Sequence, residues 1–446
     1  MSRLFAALAV RDYRIYWVTA LGSNIGTAMQ GVTLDWLVLG LTHNGTAVGA
    51  TTGLQFAPVL LFGLWGGVLA DRHNRRTLLL ITQSLYAVQA LVLGVAVLTG
   101  HTSVPLIYVL SFCLGCVFTV ENPARLSFVT ELVGGALIPN AAGLNILSLN
   151  VAKLVGPAIA GVLIAEIGAG WVVLINAVSF LIVLTGLLVV RARPRTVQPV
   201  LTGWPRAGVA GLRYVLGRPE LVAVFTVFGL VATFGVNFPT TLTLFAGRVF
   251  DSGSAGLGFM STAVAVGTVA GTLVATRRAA PRVRIVAGGA LVFGCTEAVA
   301  ALAPTYGIFL ALLVPVGFAL MSLNTAVSGY VQMDVSEAMR GRVMSVYTVV
   351  SMGGIPIGGP VIGWLSQHAG VRWGMGVGAF VSALAGALVV LWLIRRRRSP
   401  GTEVGEQFAV RGDVAPAGVD RGRGEDRVHE CPGEHRGRSR EDVVDG

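Results

Sequence analysis

The sequence predicts an all-α integral membrane protein, with twelve transmembrane helices in two pseudo-symmetric six-helix bundles. Three observations carry that expectation. Of 446 residues, 54% are hydrophobic and only 12% are charged, where soluble domains carry about 25% charged residues. Mean hydropathy is +0.74. Apolar runs of about twenty residues recur from near Tyr13 to near Ile394, each long enough to cross ~30 Å of hydrocarbon as a helix that satisfies its own backbone.

In chain order the spans fall at 13–38, 47–69, 77–99, 104–124, 140–166 and 170–190, then at 220–246, 254–276, 284–303, 306–330, 342–366 and 371–394. The first run shows no short apolar stretch ending in a small-residue cleavage site, so it is expected to span rather than to be removed. Joining loops are short except from Arg191 to Pro219. That stretch divides the chain into an N-terminal bundle (1–190), a cytoplasmic linker (191–219) and a C-terminal bundle (220–398). The linker segment "GWPRAGVAGLRYVLGRPE" has the pattern of a basic amphipathic helix on the inner leaflet, although a plain polar linker fits it too. The tail, 399–446, holds seven arginines and eleven acids with few apolar residues. It is expected to be a disordered cytoplasmic segment, because it has too little apolar surface to bury.

Arginine placement gives the orientation. If the connections alternate sides, twenty-three arginines fall on one side, Arg125 among them, and only Arg248 and Arg372 on the other. Positive residues mark the cytoplasmic side, so both termini are expected there, in a multi-pass protein of the cell membrane. The net charge of +11 then reflects membrane topology rather than nucleic-acid binding.

The halves repeat. "GPAIAGVL" at Gly156 recurs as "GPVIGWL" at Gly359, and "GVLADR" at Gly67 recurs weakly as "GTLVATR" at Gly271. Two matches at nearly one offset suggest a parallel duplication, an arrangement found in secondary transporters. Cys113 and Cys116 form a CxxC, but on a helix they share one face, and no histidine accompanies them. Cys113, Cys116 and Cys295 read as packing residues, with no disulfide framework or metal site. No cofactor is implied. The P-loop requires a lysine followed by Ser or Thr, and the sole lysine, Lys153, precedes Leu154 inside a span.

"GGVLADRHNRR", Gly66 to Arg76, places dense charge between two apolar spans. Gly67 permits close helix approach. Asp71 closes span two near the start of span eleven, where a helix N-terminus attracts a carboxylate by ~0.3–1 kcal/mol. Arg72, Arg75 and Arg76 face acids such as Glu121 and Glu131, or lipid phosphate. Positive-inside anchoring alone accounts for Arg75 and Arg76 but not for the acid before them. The pattern Gly67-x-x-x-Asp71-Arg72-x-x-Arg75-Arg76 resembles the signature loop of the major facilitator superfamily, with Asn74 where that pattern has Gly. Asn tolerates a left-handed backbone, so the turn is expected to survive. The segments Glu121–Gly168 and Arg340–Leu365 resemble the enterobactin-exporter-like branch of bacterial exporters. The resemblance covers about residues 5–395. It implies a cytoplasmic latch of Gly67, Asp71, Arg72, Arg75 and Arg76 with Glu121 and Arg125, holding the halves together when the cavity faces outward. Thr276 stands where Asp71 would repeat, so the latch is expected to be asymmetric.

Charges inside the spans mark the candidate cavity. Lys153 lies mid-span in "LNVAKLVGPAIAG", with Asn150 one turn before it. An ammonium at that depth is seldom left facing lipid. It either meets an anionic substrate group or balances a buried acid or carbonyl. Asn24, Thr27, Gly31 and Asp35 share one stripe of span one. The resemblance implies that this span lines the cavity, where Asp35 is placed to carry a proton in each cycle. The bland alternative is an acid near the outer interface that reaches water. Glu297 in span nine is a lesser candidate. Gly156, Pro157 and Gly161 resemble the fifth-span exporter motif, although two of its glycine positions hold Ala. A packing kink explains the same residues.

The expectation is a secondary active transporter exporting a small organic molecule (a drug, siderophore or metabolite) by proton antiport with alternating access. Its partners are substrate, protons and membrane lipid, not nucleic acid, and a monomer suffices. An importer or facilitator of the same fold is the alternative. A non-transporting enzyme or retinal-type pigment fits poorly, since retinal proteins use seven spans.

Overall fold

A computed structural model describes residues 3–190, 204–275 and 282–398. Every regular element among them is helical. After a short 3-10 turn, Arg3–Ala9, come α1 (Arg11–Thr42), α2 (Gly45–Arg72), α3 (Arg75–Leu98), α4 (Val104–Leu132), α5 (Ile138–Ile167) and α6 (Ala169–Val189). The helix α7 (Trp204–Leu216) stands where the sequence places its amphipathic segment. It is followed by α8 (Pro219–Leu230), α9 (Phe238–Leu244), α10 (Gly253–Ala275), α11 (Val283–Ala301), α12 (Tyr306–Asp334), α13 (Glu337–Gly353), α14 (Ile355–His368) and α15 (Val371–Arg398). The tail beyond 398 and Thr276 lie outside the described residues. Residues Met1–Ile394 form one unit, and Arg395–Gly446 are separate from it.

Eleven stretches among the described residues are long and apolar enough to cross a membrane. The first predicted span is not one of them. Its helix, α1, has 32 residues, but Asn24, Gln30, Asp35 and their hydroxyl neighbours lower its hydropathy. Large apolar side chains such as Trp65, Leu188, Trp373 and Phe380 are exposed, which suits hydrocarbon surroundings.

Three predicted spans differ in detail. Hydropathy ends span four at residue 124, yet α4 continues to Leu132 straight through Pro123. Span seven is not one regular helix. Between α8 and α9 the backbone widens at Val231–Gly235, and it widens again after α9 at Phe245–Val249. There Val236 N–H donates to the Val231 carbonyl and Phe250 N–H to that of Phe245, five residues back. Span eleven breaks into α13 and α14 at Gly354, just before Pro356. A proline removes one backbone donor and crowds the carbonyl four residues back, which favours the break.

Helix starts follow capping rules. Asn44 Oδ1 accepts from Thr46 N–H at 2.8 Å. Asn74 Oδ1 accepts from Arg76 N–H at 3.0 Å and Thr77 N–H at 3.3 Å. Asn74 is therefore a helix cap with extended backbone, φ −61° and ψ 119°, not the left-handed turn residue that its position suggested.

The most extensive packing of the first six helices on the later ones is α2 on α14 and α5 on α10, with smaller contacts of α1 and α2 on α9 and of α2 on α13. Both of the larger pairs touch backbone to backbone. A methyl group at Gly49 would lie 2.1 Å from the Gly359 carbonyl oxygen, and one at Gly258 would lie 2.4 Å from that of Pro157. Ser254 Oγ donates to the Gly161 carbonyl at 3.0 Å, Thr262 Oγ1 to that of Leu154 at 3.0 Å, and Gly45 N–H to Gln367 Oε1 at 2.9 Å. The repeated Gly-Pro motifs at Gly156 and Gly359 thus sit on the two crossings.

Candidate functional site

A cavity of about 460 Å3 lies among α1 to α6, with Met352 of α13 at its edge. Its polar wall is assembled by α1. Asn24, Thr27, Gln30 and Gly31 line it, because positions three and four apart repeat on one helix face. From α3 come Gln83 and Tyr86, from α4 Phe118, Glu121, Asn122 and Arg125, from α5 Leu149, Ala152 and Lys153, and from α6 Asn176 and Phe180.

Arg125 organises the charge. Its Nε lies 3.4 Å from Glu121 Oε1, one turn back on α4. Its Nη1 donates to Asn24 Oδ1 at 3.2 Å and its Nη2 to Asn122 Oδ1 at 3.4 Å. Asn24 also donates to Ser148 Oγ at 3.0 Å. One amide therefore ties α4 to α5 through α1. Behind this lies a second polar chain: Asn176 Nδ2 donates to Gln30 Oε1 at 2.6 Å, and Gln30 Nε2 donates to Gln89 Oε1 at 2.9 Å. Such hydrogen-bonded amides glue helices in lipid.

Lys153 is exposed to the cavity. Among the described residues it forms no ion pair, the pairs there being Arg75–Glu131, Arg125–Glu121 and Arg218–Asp334.

The predicted site residues separate into three groups. Asn24 and Lys153 both line the cavity. Glu121 and Arg125, grouped with the loop by sequence, with Arg125 counted among the cytoplasmic arginines, line the cavity. The helix that carries them does not stop at Pro123. Asp35 and Asn150 are not on the cavity wall. Asp35 is buried beside Thr52 of α2, and Asn150 is half-buried on α5.

At the loop, Arg75 Nη1 pairs with Glu131 of α4. Arg76 donates to the carbonyls of Leu187 and Leu188, at 2.9 and 2.8 Å, closing the end of α6. Arg72 is exposed and Gly67 half-buried. The Asp71 side chain lies outside the described residues. A methyl on Gly66, next to Gly67, would lie 2.2 Å from the Thr119 carbonyl oxygen, so α2 and α4 approach closely here. In the fifth-span motif, Gly156 abuts Ala28 and Ile25 of α1, and Gly161 abuts Ser254 of α10. Pro157 stays inside an unbroken α5.

Sequence reasoning passed over Tyr16, Gln83, Tyr86, Phe118 and Phe180 as wall residues. Gln83 and Tyr86 lie three apart on an apolar helix, and that was the available signal. Glu297 is buried on α11, away from this cavity, with Oε2 unpartnered.

An all-helical body with many membrane-crossing stretches and a charged interior cavity is the build of a membrane transporter. The MFS_3 profile of transmembrane secretion effectors matches residues 2–411, and the chain belongs to that family. Similar curated proteins include the enterobactin exporter EntS of Shigella flexneri, 25% identical over 401 residues that span 86% of this chain and 92% of that one. EntS of Escherichia coli (strain SE11) is likewise 25% identical, over 402 residues, with the same shares covered. Among solved structures, a bacterial homologue of the human lysosomal transporter Spinster, inward-facing and unoccupied, superposes with TM-score 0.69 at 16% identity, over 87% of this chain and 96% of that one. The nucleoside transporter NupG gives TM-score 0.69 at 13% identity, over 85% and 98%. At such identities the structures share the fold. The chain is a multi-pass major facilitator transporter, as its loop suggested, and not an enzyme.

Proposed function

We propose that this protein is a secondary active exporter, moving a small organic molecule (a drug, siderophore or metabolite) out of the cell by proton antiport. Two six-helix bundles, 1–190 and 220–398, rock about the cavity as a monomer, with the linker and both termini in the cytoplasm. The observation that carries this reading is the charged cavity set inside the first six helices, together with curated relatives that are enterobactin exporters. An α1 of 32 residues is about 48 Å long, enough to be the twelfth span. Its polar stripe faces the cavity, so lipid need not solvate it.

The glycine crossings support alternating access. Both join the early helices to the late ones at the end where α2 starts and α5 finishes, which the arginine pattern makes the outer end. Closure there is the arrangement of an inward-facing state. Around the loop, the bonds of the Arg75 and Arg76 side chains among the described residues go to α4 and α6, as suits a parted latch. Asp71→Asn is expected to leave the protein in the membrane while transport falls at least tenfold. Wild-type rates would retire the latch.

The direction is tested in inverted membrane vesicles under an imposed pH gradient. Substrate accumulation that requires an acidic interior supports antiport export. Substrate that only equilibrates across the membrane, with or without the pH gradient, would instead favour the facilitator.

A further inference from the structure

The charge balance of the cavity is uneven. Three charged side chains line it: Glu121, Arg125 and Lys153. Glu121 and Arg125 neutralise one another, and the guanidinium is further occupied by Asn24 and Asn122. The positive charge of Lys153 is left over.

Among the described residues no membrane acid outside the Glu121–Arg125 pair is placed to cancel it. Asp35 lies off the cavity beside Thr52. Glu297 is enclosed on α11 and does not line the cavity. Glu166 is thirteen residues further along α5, about 20 Å at the helical rise. An isolated ammonium inside a membrane bundle is costly to keep, and a rigid apolar replacement would pack as well. The position is also informative. Leu154, the next residue, accepts the Thr262 hydrogen bond at the α5–α10 crossing, so Lys153 lines the cavity directly beside that crossing.

The rest of the wall fits an amphipathic guest. Phe56, Phe118 and Phe180 supply aromatic surface. Gln83, itself mostly buried, carries an amide oxygen with no partner.

We propose that the cavity binds an amphipathic organic anion, its acidic group on Lys153, its apolar body against the phenylalanines, and a hydroxyl or amide N–H on Gln83. This rests on the transporter reading for its site, but not on the direction or coupling of transport. The Lys153 contact is a charge-assisted hydrogen bond, and discriminating charge there is worth about tenfold or more in affinity.

Lys153 is the only lysine in the chain, which permits a direct test. The purified full chain is treated with an amine-reactive reagent, and modification of Lys153 is followed by peptide mass spectrometry against the N-terminal amine. Three probes with one apolar body compete: naphthoate, naphthalenemethanol and naphthylmethylammonium. Naphthoate should protect Lys153 at concentrations about tenfold below the other two. In direct binding, Lys153→Gln should erase the preference for naphthoate and Lys153→Arg should keep it. Equal protection by all three probes, no protection by naphthoate, or a preference that survives Lys153→Gln overturns the proposal. If Lys153→Gln does not fold, the wild-type protection order decides alone. Flux measured in vesicles separates the two readings. Anion preference without gradient-driven flux sinks the exporter and keeps the anion site, whereas preferred flux of the ammonium probe does the reverse.

Discussion

Arg125 on α4 donates to Asn24 on α1 across 3.2 Å, although the two are 101 positions apart and belong to different predicted groups. That single bond fixes the guanidinium against the cavity while Glu121 holds its charge. The side chains of Arg125 and Glu121 are only 11% and 6% exposed. Removing one member leaves the other as an uncompensated buried charge, which costs about 3–5 kcal/mol. Arg125→Gln is therefore expected to lower unfolding stability in detergent by that order. Adding Glu121→Gln should recover most of the loss, because neutral amides replace both charges. Transport should stay low in the double variant. Full stability in Arg125→Gln alone would show that the pair is solvated.

The crossing of α2 and α14 leaves no room for a side chain at Gly49, where a methyl would meet the Gly359 oxygen at 2.1 Å. Backbone on both sides cannot yield as a flexible side chain would. Gly49→Val is expected to hold this end apart and to cut transport by at least tenfold, with little loss of protein from the membrane. Spin labels at Thr46 and Gln367 measure the effect: their separation should lengthen by several ångströms in the variant. An unchanged distance distribution would mean that the crossing is not where the bundle opens.

Lys153, Asn24, Gly156 and Gly161 were legible in the sequence because each is a strong exception in its surroundings. A lone ammonium in an apolar run has few tolerable positions, and paired small residues mark close helix contact. Glu121 and Arg125 were grouped with the loop because the apolar run ends at residue 124, just before the charge of Arg125. The helix nevertheless continues through Pro123 to Leu132. Asp35 does share the stripe with Asn24, but eleven residues along α1 is about 16 Å. That carries it past Leu34 and the cavity's end to where Thr52 covers it. Periodicity gives the face of a helix and says nothing of what lies opposite at each height.

Ser254 and Thr262 both reach from α10 to carbonyls of α5, each at 3.0 Å. Side-chain hydrogen bonds between membrane helices average only ~0.6 kcal/mol. The double variant Ser254→Ala, Thr262→Val should therefore cost about 1 kcal/mol of unfolding stability. Its larger effect is on opening. Amide hydrogen exchange around Gly161 and Ser254 is expected to accelerate severalfold as the crossing separates more often. Exchange equal to wild type would assign the crossing's strength to glycine packing alone.

Arg75 and Glu131 join the start of α3 to the end of α4, and their side chains are only 10% and 9% exposed. Among the described residues, neither bonds to the later helices, so the pair should act on the packing of the first six helices more than on their motion. Arg75→Ala strands the Glu131 carboxylate and should cost about 2 kcal/mol, the worth of a hydrogen bond to a charged group. Arg75→Glu should cost more, since two acids then face each other. Adding Glu131→Arg to Arg75→Glu restores opposite charges with the geometry reversed, and most of the lost stability should return. Transport separates this role from the latch: the charge-swapped protein should transport at near wild-type rates if Arg75 serves only to hold α3 against α4. A stable swapped protein that no longer transports would move Arg75 into the gating machinery beside Asp71.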